Sequence, residues 1–262
     1  MITAKRILII PDVHGRTFWQ TPVQEALQDP GYHIVFLGDY HDPYPYEWEP
    51  GYESTPDPDY LEHSIERFQE IINLKKQYPD RITLLIGNHD CGYAFDESIC
   101  SSRIDSVNKS KIRTLFKENL DLFQLAEECI QDGRHVIFSH AGISKGWARE
   151  VYGDRVDDHE FNVVDALNKD IKSGDYYLLS CLAMYDIYRG WGAYDFGSVV
   201  WADIRSWIHT TPEETFGFNV VGHTQMEKDP QKTDTAVDLD CRRAFYLDET
   251  GTIRDYSSGE EI

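Results

Sequence analysis

Five short apolar runs in this sequence end abruptly at a turn carrying Gly beside Asp, Asn or His, and this repetition constrains the fold more than any other feature. RILII at 6–10 leads into Asp12-Val13-His14-Gly15-Arg16, and HIVFL at 33–37 into Gly38-Asp39-Tyr40-His41-Asp42. RITLLI at 81–86 leads into Gly87-Asn88-His89-Asp90, HVIFS at 135–139 into His140-Ala141-Gly142, and NVV at 219–221 into Gly222-His223-Thr224-Gln225. A further apolar run, SVVW at 198–201, reads as another strand. Runs this short and nearly continuous in Ile, Val, Leu and Phe suit strands buried on both faces.

Between the early runs lie segments of helical period. Leu61, Ile65, Phe68, Ile71, Ile72 and Leu74 form one stripe, with Asp57 before Pro58 as its start signal. A second helix is expected over about 109–130, with Ile112, Leu115, Phe116, Leu122 and Leu125 inward. Alternating strands and helices indicate an α/β layered fold. Residues 42–60 are crowded with Pro, Tyr and acidic residues and read as a long loop, while 142–197 reads as a mostly helical insertion. From about 233 onward the alternation of apolar and polar residues predicts antiparallel strands. With no linker, repeat or low-complexity tract, residues 1–262 read as a single domain.

Ligands bind in the crevice outside the carboxyl ends of the strands in an open α/β sheet. Loops there bring Asp, Asn and His together from distant parts of the chain. Carboxylate, imidazole and carboxamide donors without a thiolate suit Mn, Fe, Zn or a similar metal. Two such ions sharing a carboxylate can clamp the attacking and leaving oxygens of a phosphoryl displacement. Any one of these histidines alone is more often a turn or core residue than a ligand. Five such turns in order are not accounted for that way.

The ordered motifs DxH, GDxxD, GNHD, H and GHT resemble those of the calcineurin-like metallophosphoesterase superfamily, from Asp12 to Gln225. Their variants lean toward the branch of protein Ser/Thr phosphatases and bacterial diadenosine tetraphosphatases. The resemblance implies a four-layer α+β fold, two packed β-sheets flanked by helices, rather than one open sheet. It also implies two divalent or trivalent metal ions. Asp12 and His14 would bind the first, Asp39 would bridge both, and Asn88, His140 and His223 would complete the second. A metal-bridging hydroxide would attack, His89 would protonate the leaving alkoxide as general acid, and Asp42 would orient His89. Two departures stand out. Gln225 occupies the place where many members carry a further His ligand, which makes it a possible metal ligand through its carbonyl. Pro43 replaces the Arg that grips substrate phosphate in the phosphatase branch, so another cation must do that work. Arg16, directly after DVHG, is the first candidate, and Arg205 the second, with an ion pair as its alternative role.

His41, inside the GDYHD motif, is a candidate substrate contact. The other histidines, His33, His63, His135, His159 and His209, have no motif around them and read as structural or exposed. The aromatic group Tyr44, Tyr46, Trp48 and Tyr52 reads either as a stacking surface or as packing for its own loop. A net charge of −21 opposes binding to long nucleic acid or anionic membranes, because phosphate neutralisation needs clustered Lys and Arg. The first apolar run is broken by Pro11 and Asp12, too early for a signal-peptide core, and five scattered cysteines without a CxxC pair suit reduced thiols. A soluble cytoplasmic protein is expected, with oligomeric state open. Its leading function is a phosphomonoesterase for a phosphoprotein or small molecule. The alternatives are a phosphodiesterase or dinucleoside polyphosphate or nucleotide hydrolase, and a non-catalytic scaffold.

Overall fold

The computed structural model describes residues 1–44, 59–95, 99, 103–189 and 194–262. The strands are β1 (Arg6–Ile10), β2 (Tyr32–Phe36), β3 (Ile82–Leu85), β4 (Phe123–Gln124), β5 (Ala126–Gln131), β6 (Arg134–Ser139), β7 (Phe218–Val221), β8 (Gln231–Lys232), β9 (Ala236–Asp238), β10 (Phe245–Leu247) and β11 (Ile253–Asp255). They form one sheet in the order β11-β10-β1-β2-β3-β4 and a second in the order β5-β6-β7-β9-β8. β1 to β4 are mutually parallel, as are β6, β7 and β9, so their carboxyl ends share one edge of each sheet.

The strand period of two assigns side chains to layers. Ile7, Ile9, Val35, Leu37 and Leu85 face the second sheet and pack with Val136, Phe138, Val220 and Val237. Leu8, Ile10, Ile34, Phe36, Ile82 and Leu84 face outward, onto α1 (Gln20–Gln28), α2 (Tyr60–Gln77) and, further along the chain, α4 (Lys109–Asn119). Both faces are therefore covered, which explains why the runs are continuous rather than alternating. Over the second sheet lie α5 (Lys145–Tyr152), α6 (Val163–Ser173) and α7 (Tyr176–Leu182), the helices of the 142–197 insertion. Two short helices lie at strand-end segments: α3 (Asn88–Ala94) follows β3, and α8 (Ile204–Trp207) follows the insertion. The two packed sheets flanked by helices match the expected α/β layered architecture.

The α2 stripe is buried as expected at Ile65, Phe68, Ile71 and Ile72, while its expected start at Asp57 lies outside the described residues. Three other expectations need correction. The second helix ends at Asn119. After a single tight turn the chain becomes β4 and β5, and β5 pairs with β6 through Asp132-Gly133, both at positive φ. Asp-Gly is a strong hairpin signal, and it overrides the helical period before it. SVVW is no strand. Ser198, Val199 and Val200 are fully buried in a turn whose amides and carbonyls bond to Met184, Ala141 and the turn itself, so burial alone explains its apolar run. In the tail β10 and β11 are antiparallel as expected, but β9 runs parallel to β7. Among the described residues, no helix is long and apolar enough to cross a membrane.

Phe68 of α2 stacks on Tyr40 at 5.2 Å and meets Phe116 at 4.9 Å between ring centroids, beneath the turn that carries Asp39. Phe68→Ala is expected to destabilise the fold by about 3–5 kcal/mol, seen as a lower urea midpoint at unchanged slope. A loss below about 1 kcal/mol would mean that this layer repacks freely.

Candidate metal centre

Six side chains named from the sequence meet where the parallel strands of both sheets end. Asp12, His14, Asp39, Asn88, His140 and His223 are each at most 8 % exposed. His140 Nε2 lies 2.8 Å from Asn88 Oδ1 and 3.1 Å from His223 Nδ1, and His223 Nδ1 lies 2.9 Å from the same Asn88 oxygen. Asp39 Oδ2 stands between the two halves of the cluster, 3.5 Å from His14 Nε2 and 3.6 Å from His140 Nε2. Donor atoms of Asp12, Asp39 and His140 lie within 4.8 Å of one another, as do those of His14, Asp39 and His89.

The backbone reaches this arrangement by accepting strain. His14, Asp39, Asp42 and His223 have φ of 42°, 52°, 59° and 77°, a left-handed region that side chains rarely adopt. Such outliers cluster where function over-determines the backbone. Glycine is needed at two close approaches. A Cβ on Gly87 would stand 2.1 Å from Asp39 Oδ1, and one on Gly222 2.2 Å from Asp12 Oδ1. Asp90, the last residue of the GNHD motif, ties the turns together. Its carboxylate accepts from the amides of Asp39 at 2.8 Å, Gly87 at 2.8 Å and Tyr40 at 3.1 Å.

Accounting for protons tests whether the cluster fits a cation. His14 Nδ1 and His140 Nδ1 each donate to a backbone carbonyl, His41 O and Leu37 O, both at 2.9 Å. Since carbonyls only accept, either ring in its neutral form turns the Nε2 lone pair into the cluster. There they face the Asn88 and Asp39 oxygens, which are also acceptors. His223 Nε2 is buried without a hydrogen-bond partner among the described residues. Burial pushes the His14 and His223 imidazoles well below their ordinary pKa, and neighbours add to it: His89 and Arg16 beside His14, Arg189 beside His223. Burial also raises the Asp39 carboxyl, against the pull of His89, and Asp12 raises it further. Neutral imidazoles and crowded carboxylates converging as acceptors make a donor set that fits metal ions.

The other sequence candidates fall at different distances from this centre. His89 is buried, and its Nδ1 lies 2.8 Å from Asp42 Oδ2. Its ring meets His14 edge-on at 4.9 Å. Arg16 is 4 % exposed and donates from Nη1 to Asp12 O at 3.0 Å. Gln225 is exposed, unlike the six buried side chains. Arg205, half exposed, makes two contacts of 2.8 Å with Asp203, the ion pair named as its alternative. His41 does not face the centre. It is 1 % exposed and spans Ser64 Oγ at 2.8 Å and Asp105 Oδ2 at 3.1 Å. Of the aromatic group only Tyr44 is described, edge-on to His14 at 5.3 Å and 3.4 Å from the Arg103 guanidinium.

One cation beside the centre has no motif to announce it. Arg189, at the end of the insertion, donates to Thr224 Oγ1 at 2.8 Å and stands 3.0 Å from Asp203 Oδ2. Asp186 anchors this segment by accepting from the Tyr188 and Asp203 amides and from Ser206 Oγ. The guanidinium is thus held next to His223 by contacts that only the folded chain creates.

Comparison with solved structures gives a cold-active protein tyrosine phosphatase at TM-score 0.51 and 18 % identity, covering 98 % of this chain and 81 % of that one. A protein serine/threonine phosphatase from Saccharomyces cerevisiae gives TM-score 0.45 and 13 % identity, over 92 % of this chain and 72 % of the other. The first of these is a likeness of fold. A family model described as calcineurin-like phosphoesterase matches residues 5–225, a span that contains every strand-end turn of the centre. The chain therefore belongs to the calcineurin-like phosphoesterase family, hydrolases that act on phosphate esters.

Proposed function

We propose that this chain is a dinuclear-metal phosphomonoesterase acting on a phosphorylated small molecule, nucleotide or phosphoprotein side chain. The observation that carries the reading is the set of lone pairs converging on Asp39, with an imidazole–carboxylate pair, His89 and Asp42, at its side. Asp12, His14 and Asp39 would hold one ion, and Asp39, Asn88, His140 and His223 the other. Gln225, which is exposed, would enter only as a further carbonyl ligand to the first ion. Mn, Fe or Zn suit these donors. When bound, two ions polarise the phosphate and make water nucleophilic near neutral pH.

The remaining work falls to the chain's own groups. Asp42 accepts Nδ1–H of His89, which fixes the ring and directs Nε2–H toward the leaving oxygen. A phosphate monoester carries close to two negative charges at neutral pH, and an acidic surface repels it unless cations stand at the site. Arg16 lies on the His14 side and Arg189 on the His223 side, which supports a monoester and supplies the grip that Pro43 lacks. We read residues 1–262 as one domain whose insertion contributes Arg189.

Protein loaded with Mn²⁺ is expected to hydrolyse p-nitrophenyl phosphate faster than bis-p-nitrophenyl phosphate; the opposite preference overturns the monoester reading. His89→Ala should lower kcat on an alkyl phosphate about 10²–10⁴-fold, with metal content by elemental analysis unchanged. Loss of metal in that variant would make His89 a ligand instead. Arg189→Ala should weaken inhibition by inorganic phosphate about tenfold or more, the value of a charge-assisted contact. Unchanged inhibition would remove Arg189 from the phosphate site.

A further inference from the structure

Behind the His89–Asp42 pair lies a buried chain of polar groups that no motif describes. Tyr93 stands four residues after His89 on α3, so both side chains leave the same helix face and both reach Asp42. The Tyr93 hydroxyl bonds to Asp42 Oδ1, and the Asp105 amide approaches Tyr93 Oη at 2.7 Å and Asp42 Oδ1 at 3.1 Å. Tyr93 is 2 % exposed.

The direction of each bond follows from the groups that can only donate. A backbone N–H must donate, so the Asp105 amide gives its proton to Tyr93 Oη and, shared, to Asp42. The single phenolic proton is then left for Asp42 Oδ1. With Oδ1 occupied by two donors, Asp42 is held as an acceptor whose free edge, Oδ2, meets His89 Nδ1. Burial, and then the Asp42 charge, push the Tyr93 phenol above its ordinary pKa, which keeps it a donor.

The far end of the chain is equally determined. Asp105 Oδ1 accepts from the Val107 and Asn108 amides at 2.9 Å each, next to the start of α4. Its Oδ2 accepts from His41 Nε2, which leaves His41 Nδ1 to accept from Ser64 Oγ. Asp105 is thereby fixed from two sides, and its amide is fixed with it.

We propose that Tyr93 and Asp105 are positioning residues for proton delivery, locking the Asp42 carboxylate so that His89 keeps Nδ1–H inward and Nε2 toward the leaving group. The inference rests on the reading of His89 as general acid. It adds a second tier that the motif pattern does not contain, built from α3 and the segment before α4.

A leaving-group series separates this role from mere packing, because protonation matters little for a good leaving group and greatly for a poor one. Tyr93→Phe, which removes one oxygen at nearly constant volume, is measured in the metal-loaded full chain on p-nitrophenyl, phenyl and alkyl phosphates. The expected result is little change in kcat on p-nitrophenyl phosphate and a loss of about tenfold on the alkyl ester, at unchanged metal content. An equal loss on all substrates, or loss of metal, would overturn the proposal and leave Tyr93 a packing residue. His89→Ala serves as reference. If it too fails to discriminate between leaving groups, the general-acid reading falls; if it discriminates and Tyr93→Phe does not, only this proposal falls. A second measurement needs no variant: with ¹⁵N-labelled histidine, His89 should show a slowly exchanging Nδ1–H in the wild-type chain. A proton resident on Nε2 alone would contradict the proposed lock.

Discussion

Asp90 accepts three backbone amides, from Asp39, Tyr40 and Gly87, and through them draws the ends of β2 and β3 into contact. The contact is tight enough that a Cβ on Gly38 would stand 2.5 Å from Gly87 N. Asp39 is thereby turned to stand between His14 and His140, one residue from each half of the cluster, while Asn88 and His89 emerge side by side from the start of α3. A second tie joins the sheets: Asp12 Oδ1 accepts the His223 amide at 2.9 Å across 211 positions of sequence. These backbone contacts hold the left-handed turns that would otherwise relax.

The electrostatics follow from the same closeness. Carboxylates and imidazoles are packed together out of solvent, so the His14 and His223 rings are pushed toward the neutral form and Asp39 resists ionisation. Bringing cations into the cluster reverses that cost, which ties metal affinity to the folded arrangement rather than to the residues alone. Arg16 stands beside His14 and Arg189 beside His223, the latter paired with Asp203, in a chain whose net charge is −21. Asp203, gripping both Arg189 and Arg205, divides the two cations into one that faces the centre and one that stays half exposed.

Much of this was legible in the sequence because strand ends write short, local signatures. Asp12, His14, Asp39, Asn88, His140 and His223 each stand within three residues of a turn glycine after an apolar run, and each is buried. What lies behind them was not legible. Asp90 closes the GNHD motif without a role assigned to it there, Tyr93 is a plain helix residue in sequence, and only the fold brings them to Asp39 and Asp42. Arg189 reaches His223 through Asp203 and Thr224, partners supplied by distant segments. For His41 the motif gives a position but not a direction, which Ser64 and Asp105 set. Local signals misled where tertiary contact overrode them, as in SVVW, whose burial under the insertion mimics a strand. The Asp132-Gly133 turn, by contrast, is a hairpin signal written in the sequence, and in the fold it prevails over the helical period that runs into it.

The proposed arrangement has two metal ions sharing Asp39. Anomalous diffraction from crystals of the Mn²⁺-loaded chain tests it directly. Two peaks about 3.5–4 Å apart are expected, one among Asp12, His14 and Asp39 and the other among Asp39, Asn88, His140 and His223. A single peak, or a second ion bound by His89 without Asn88 and His140, would contradict it.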